Sequence, residues 1–80
     1  MRLQRDISGE ELAKKLEKFG YSITRQTGSH LRLTTKFLGE HHITIPNHSS
    51  LRIGTFSSIL NDVAKHFKKT KEQIIIDLFE

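Results

Sequence analysis

From Ser8 onward the hydrophobic positions change period along the chain, and each change marks an element. Ser8-Gly9-Glu10-Glu11 is a capping box, in which Ser8 accepts from the third helical amide and Glu11 reaches back to the Ser8 amide. Ile7 and Leu12 stand where a hydrophobic staple would put them. Leu12, Leu16 and Phe19 then recur at i, i+4, i+7, with Ala13 beside them and Lys14, Lys15, Glu17 and Lys18 outside the stripe. The spacing predicts a helix over 9–19, closed by Gly20 and preceded by a short lead-in from Met1 to Ile7.

After Gly20 the period falls to 2. Tyr21, Ile23 and Arg25 alternate with Ser22, Thr24 and Gln26, and the turn Thr27-Gly28-Ser29 follows, with Gly28 expected to supply a positive φ. His30 to Thr35 forms a second predicted strand, in which Leu31 and Leu33 face the core and His30, Arg32 and Thr34 face away. A connection around Gly39 leads to a third strand, His41 to Ile45, stopped by Pro46. Ile43 and Ile45 point inward, which places His42 and Thr44 on the outer face if the sheet is antiparallel and sequential.

Asn47 to Gly54 reads as a loop and Thr55 as the cap of a second helix with the stripe Phe56, Ile59, Leu60, Val63 and Phe67. Thr70-Lys71-Glu72-Gln73 is another capping box. It opens a last short helix that buries Ile74, Ile75, Leu78 and Phe79 and leaves Ile76 near its edge. The order is α-β-β-β-α with a short C-terminal helix. This is an α+β, two-layer domain whose three-stranded antiparallel sheet carries helices on one face. The other face is open to a partner, and every residue assigned to it is polar: Ser22, Thr24, Gln26, His30, Arg32, Thr34, His42 and Thr44.

Eighty residues, 35% hydrophobic, make a single domain over 1–80 with one modest core and no deep pocket. There is no cysteine, so thiolate metal sites, disulfides and a thiol nucleophile are excluded. No apolar run approaches the ~20 residues of a membrane span, and no signal-peptide core follows Met1-Arg2-Leu3-Gln4. The expectation is a soluble, cytoplasmic protein. The net charge of +4 becomes informative once located. Acids and bases balance over 1–17, where Arg2, Arg5 and Asp6 contribute, and again over 62–80. The middle holds Lys18, Arg25, Arg32, Lys36 and Arg52 against Glu40, together with four of the five histidines. A positive field confined to one region is the footprint expected for a polyanion partner, nucleic acid first.

The run Arg25-Gln26-Thr27-Gly28-Ser29-His30 is the functional centre by this reading. His30 supplies an imidazole, the side chain best suited to taking and giving protons, and Arg32, on the same face, is a permanent donor shaped for phosphate. Ser29 and His30, as neighbours on a strand, are expected to diverge and so not to form a serine-protease pair. A zinc site from His41, His42 and His48 is disfavoured because adjacent strand residues point to opposite faces. His66 falls off its helix's apolar stripe and is expected in solvent.

These residues resemble the HicA-type toxins of bacterial and archaeal toxin-antitoxin systems, also described as the YcfA family of small mRNA interferases. The matching pieces are Ser8-Gly9-Glu10-Glu11-Leu12, Gly20-Tyr21, Arg25-Gln26-Thr27-Gly28-Ser29-His30, Ile43-Thr44-Ile45-Pro46-Asn47-His48, Leu51, Gly54-Thr55-Phe56 and Ile59-Leu60. The chain departs from the family's commonest form in its longer tail after Phe67 and its doubled His41-His42. The resemblance implies a double-stranded-RNA-binding-like fold, a ribonuclease dependent on His30, and a HicB-type antitoxin that covers the site. Besides mRNA, the expected partner is therefore that antitoxin; no membrane is expected, and a homodimer and a heteromeric complex both stay open.

Such chemistry follows from RNA itself. A base that takes the 2′-hydroxyl proton lets that oxygen attack phosphorus, leaving a 2′,3′-cyclic phosphate and a 5′-hydroxyl, with no metal or other cofactor. His30 is the expected general base, with Arg25, Gln26, Gly28, Ser29, Arg32, Lys36 and His42 expected to hold RNA. The general acid stays open among His42, His48 and water. The rival reading is a non-catalytic RNA-binding module, which needs Arg32, Lys36 and Arg52 but not an ionisable His30.

Overall fold

A computed structural model of the chain describes residues 7–80. Apart from Ile7, the lead-in and its charges Arg2, Arg5 and Asp6 lie outside the described residues. The first helix forms as its signals require: Glu11 N donates to Ser8 Oγ at 3.0 Å, and Ser8 N donates to Glu11 Oε1 at 2.8 Å. Helix α1 spans Gly9–Lys15 and tightens into a 3-10 turn over Leu16–Phe19, so the predicted helix over 9–19 ends in a narrower coil. Gly20 closes it at φ 83°, a conformation that favours glycine.

Three strands follow, β1 (Ser22–Gln26), β2 (His30–Thr35) and β3 (His41–Pro46), paired antiparallel in the order β1-β2-β3. Leu31, Leu33, Ile43 and Ile45 are buried beneath the helices, while His30, Arg32, Thr34, His42 and Thr44 occupy the opposite face. The register pairs Arg32 with Thr44 and Thr34 with His42.

β1 departs from the simple alternation. Ile23 pairs with Leu33, but the next pair is Arg25 with Arg32, so Thr24 is an extra residue and the phase slips there. The Thr24 hydroxyl lies 2.9 Å from Thr34 Oγ1 and donates to Arg32 O at 3.4 Å. Beyond the bulge Arg25 shares the open face with Arg32, and Gln26, opposite Leu31, is carried to the helix-side face. This reverses the faces that alternation assigns to Arg25 and Gln26. Ile23 points to the helix side yet stays 47% exposed, because α1 packs on β2 and β3 and leaves β1 bare.

The second helix, α2, spans Ile53–Phe67, two residues earlier than the cap expected at Thr55. Arg52 occupies the cap position without a side-chain hydrogen bond to the helix, and Thr55 sits inside the first turn. Phe56, Ile59, Leu60 and Val63 are buried as the stripe predicts. Thr70 and Gln73 form the expected reciprocal cap of α3 (Lys71–Phe79), which buries Ile74, Ile75 and Leu78 against the same core. The architecture is therefore α+β, with a three-stranded antiparallel sheet, three helices and a short C-terminal one among them. No helix among the described residues is long and apolar enough to cross a membrane.

Candidate functional site

The turn between β1 and β2 is built by threonine rather than by a left-handed glycine. Thr27 Oγ1 accepts from Ser29 N at 3.3 Å and from His30 N at 3.0 Å, and Thr27 N donates to His30 O at 2.9 Å. With the side chain closing the turn, Gly28 needs no positive φ, and Gly20 and Gly39 are the glycines that adopt one. A Cβ on Gly28 would meet nothing within 4 Å. The expectation of a positive φ at Gly28 is corrected, and its bareness leaves backbone open to an approaching ligand.

Ser29 belongs to the turn and not to the strand, and so the expected divergence from His30 does not occur. Ser29 Oγ and His30 Nδ1 are hydrogen-bonded at 2.9 Å. Asn47 N donates to Ser29 O at 2.9 Å and ties the turn to the end of β3. The imidazole is thus held through Nδ1, and Nε2 has no protein partner among the described residues.

His30 stands in an open groove of about 650 Å³ between the outer face of the sheet and α2. Thr44 and Pro46 complete the sheet wall; Arg52, Gly54, Thr55, Ser58, Ile59 and Asp62 line the other. The helix runs against β3 in the opposite direction, since His66 near its end stacks on His41 at the start of the strand with ring centroids 4.4 Å apart. Arg52 therefore lies at the end where Pro46 pairs with His30.

Arg25 and Arg32 are directly opposite each other on the open face. Like charges so placed repel unless an anion lies between them. The ion pairs among the described residues are His42 with Glu40 and Lys69 with Asp77, so neither guanidinium is neutralised by a protein carboxylate.

Other sequence candidates are set apart. His42 pairs with Thr34, four residues along β2 from His30, or about 13 Å at strand rise. Its Nδ1 lies 2.8 Å from Thr34 Oγ1 and its Nε2 2.8 Å from Glu40 Oε2. Lys36 follows the far end of β2, about 20 Å from His30 on the same measure. His48 lines a separate hollow with Ser8, Glu10, Asn47 and Ser49. His66, expected in solvent, instead is half-buried, with Nε2 2.8 Å from Phe37 O. Its partner His41 sits 2.7 Å from the Tyr21 hydroxyl; burial, then the neighbouring His66, holds the His41 pKa below the ordinary histidine value. Burial raises the Tyr21 hydroxyl pKa.

The groove's α2 wall is the part the sequence reading missed. Thr55, Ser58, Ile59 and Asp62 recur at i, i+3, i+4, i+7, so their common stripe is visible in the sequence. What is invisible is that this stripe faces His30. The family described as "HicA toxin of bacterial toxin-antitoxin" matches residues 9–64, a span that contains the turn, all three strands and the groove wall. No curated protein and no solved structure matches the chain. With well over half of its residues covered, turn and groove included, the chain belongs to the HicA toxin family.

Proposed function

We propose that the protein is the toxin of a toxin-antitoxin pair and cleaves mRNA as a metal-independent endoribonuclease, with His30 as general base. The observation that carries this reading is the arrangement around that imidazole: Ser29 engages Nδ1 at 2.9 Å, Nε2 has no protein partner among the described residues, and His30 lines the groove. With Nδ1 carrying the proton toward Ser29 Oγ, Nε2 presents a lone pair able to take a 2′-hydroxyl proton. The oxygen then attacks phosphorus and the 5′-oxygen leaves, yielding a cyclic phosphate. Arg25, Arg32 and Arg52 stabilise the charge that grows on the phosphoryl oxygens. Gly28 and Ser29 admit the backbone of the strand to the turn. His42 and Lys36, at the far end of the same face, contact more distant phosphates, and water serves as the acid, since His42 is about 13 Å along the strand and His48 lines a separate hollow.

Gln26 is withdrawn from the outer face by the bulge and contacts RNA only at the sheet margin. The antitoxin, a HicB-type protein, covers the open face and excludes RNA from it. The test is expression of the chain beside His30→Ala, with both purified proteins assayed on RNA in excess EDTA. The parent is expected to arrest growth and leave 2′,3′-cyclic phosphate ends, and the variant to fold and do neither. Equal binding of RNA without cleavage by either protein would replace this reading with a non-catalytic RNA-binding module resting on the facing arginines.

A further inference from the structure

The groove beside His30 is electrically polarised along its length. Arg52 lies at the end where His30 and Pro46 meet, and Asp62 lies ten residues further along α2, about 15 Å by helix rise. Asp62 takes part in neither ion pair among the described residues. Between the two charges the walls offer apolar surface from Pro46 and Ile59 and hydroxyls from Thr44, Thr55 and Ser58. A volume of about 650 Å³ falls in the ~300–1,000 Å³ range of small-ligand sites.

A carboxylate repels phosphate, so Asp62 is no contact for RNA backbone within this groove; Lys65, Lys69 and Lys71 line a separate hollow beyond it. The Asp62 end suits a group that presents hydrogen-bond donors. Resting on the RNA reading above, we propose that this groove is a base-reading subsite for guanine, with Asp62 as its specificity-determining residue. The phosphate lies at the Arg52 and His30 end, the sugar passes the hydroxyls, and the base packs between Pro46 and Ile59. Guanine alone among the four bases presents two adjacent N–H donors, N1–H and N2–H, that match the two oxygens of one carboxylate. Adenine and cytosine present an amino group beside a ring acceptor, which the carboxylate opposes, and uracil presents one N–H between two carbonyls.

The experiment titrates the full chain with the 3′-monophosphates of guanosine, adenosine, cytidine and uridine, read by NMR chemical shifts. Guanosine monophosphate is expected to bind at least fivefold more tightly than the others, the lower end of what a bidentate base contact supplies. Asp62→Asn, a change on an exposed position, is expected to erase that ranking, and Arg52→Gln to weaken all four alike. In cleavage mapping the parent is expected to cut next to guanosine, and Asp62→Asn to cut without that bias. Equal affinity for the four nucleotides, no binding of any, or an unchanged ranking in Asp62→Asn overturns the proposal. If RNA is still cut in a His30-dependent way, those outcomes sink the subsite alone; loss of cleavage by the parent sinks the nuclease reading.

Discussion

Replacing Gly9 by alanine tests how the first helix is seated on the sheet. Gly9 is buried, and a Cβ added there would stand 2.2 Å from the carbonyl oxygen of Pro46, with Ile45 Cγ2 at 3.3 Å. The nearest obstacle is backbone, so no side chain can swing aside, and α1 must retreat from β3 by about 1 Å to restore an ordinary contact. That movement pulls on Gly9 N, which donates to His48 O at 2.9 Å, beside the companion bond from Leu51 N to Ile7 O at 2.8 Å. Overpacking costs about 1–3 kcal/mol and a weakened hydrogen bond about 0.5–1.5 kcal/mol. Alanine returns at most about 1 kcal/mol of helix propensity. The net expectation is destabilisation by about 2 kcal/mol, or a Tm about 8–16 °C lower for a domain of this size. Thermal melts followed by circular dichroism measure it. The matched control is Gly28→Ala, where the new methyl meets nothing within 4 Å and Tm should hold or rise slightly while RNA cleavage falls. A Gly9→Ala protein as stable as its parent would refute the close approach of α1 to the Pro46 carbonyl as the reason for glycine there.

Three other outcomes follow from the same geometry. The His41 pKa is lowered by burial first and then by His66, with His42 acting the same way and Asp62 opposing, so the unfolded chain binds the proton more readily. Stability should be flat from about pH 7 to 9 and fall as the pH drops below the unfolded value near 6.5, and urea midpoints at pH 5 and 7.5 would show the difference; a midpoint that rises on acidification contradicts the sign. Thr35→Val keeps the shape of a buried side chain whose hydroxyl donates to Phe19 O at 2.7 Å and accepts from Phe37 N at 3.2 Å. Stranding those two groups should cost about 1–3 kcal/mol in chemical denaturation, and a neutral result would mean that water replaces the hydroxyl. Arg25→Ala removes one of two facing guanidiniums, so it should raise stability by a few tenths of a kcal/mol while weakening RNA binding and reducing the log–log salt slope by about 0.7; an unchanged slope would take Arg25 out of the phosphate contact.

Much of this protein is written locally in its sequence. Ser8 with Glu11, and Thr70 with Gln73, determine two helix starts because a side chain and an amide three residues away close on each other whatever the rest of the chain does. The stripe through Leu12, Leu16 and Phe19 and the alternation of Leu31, Leu33, Ile43 and Ile45 determine which sides are buried, and so place His30, Arg32 and Thr34 outward. The sequence could not show the bulge at Thr24, because a one-residue slip costs little in a polar edge strand and is decided by pairing with β2. That slip brings Arg25 opposite Arg32 and turns Gln26 away. Nor could it show that α2 lies along β3, which depends on how side-chain volumes from distant segments fill one core. Packing at that range stacks His66 on His41, and along the same helix it brings Arg52 at one end and Asp62, a turn before His66, to the groove that His30 lines.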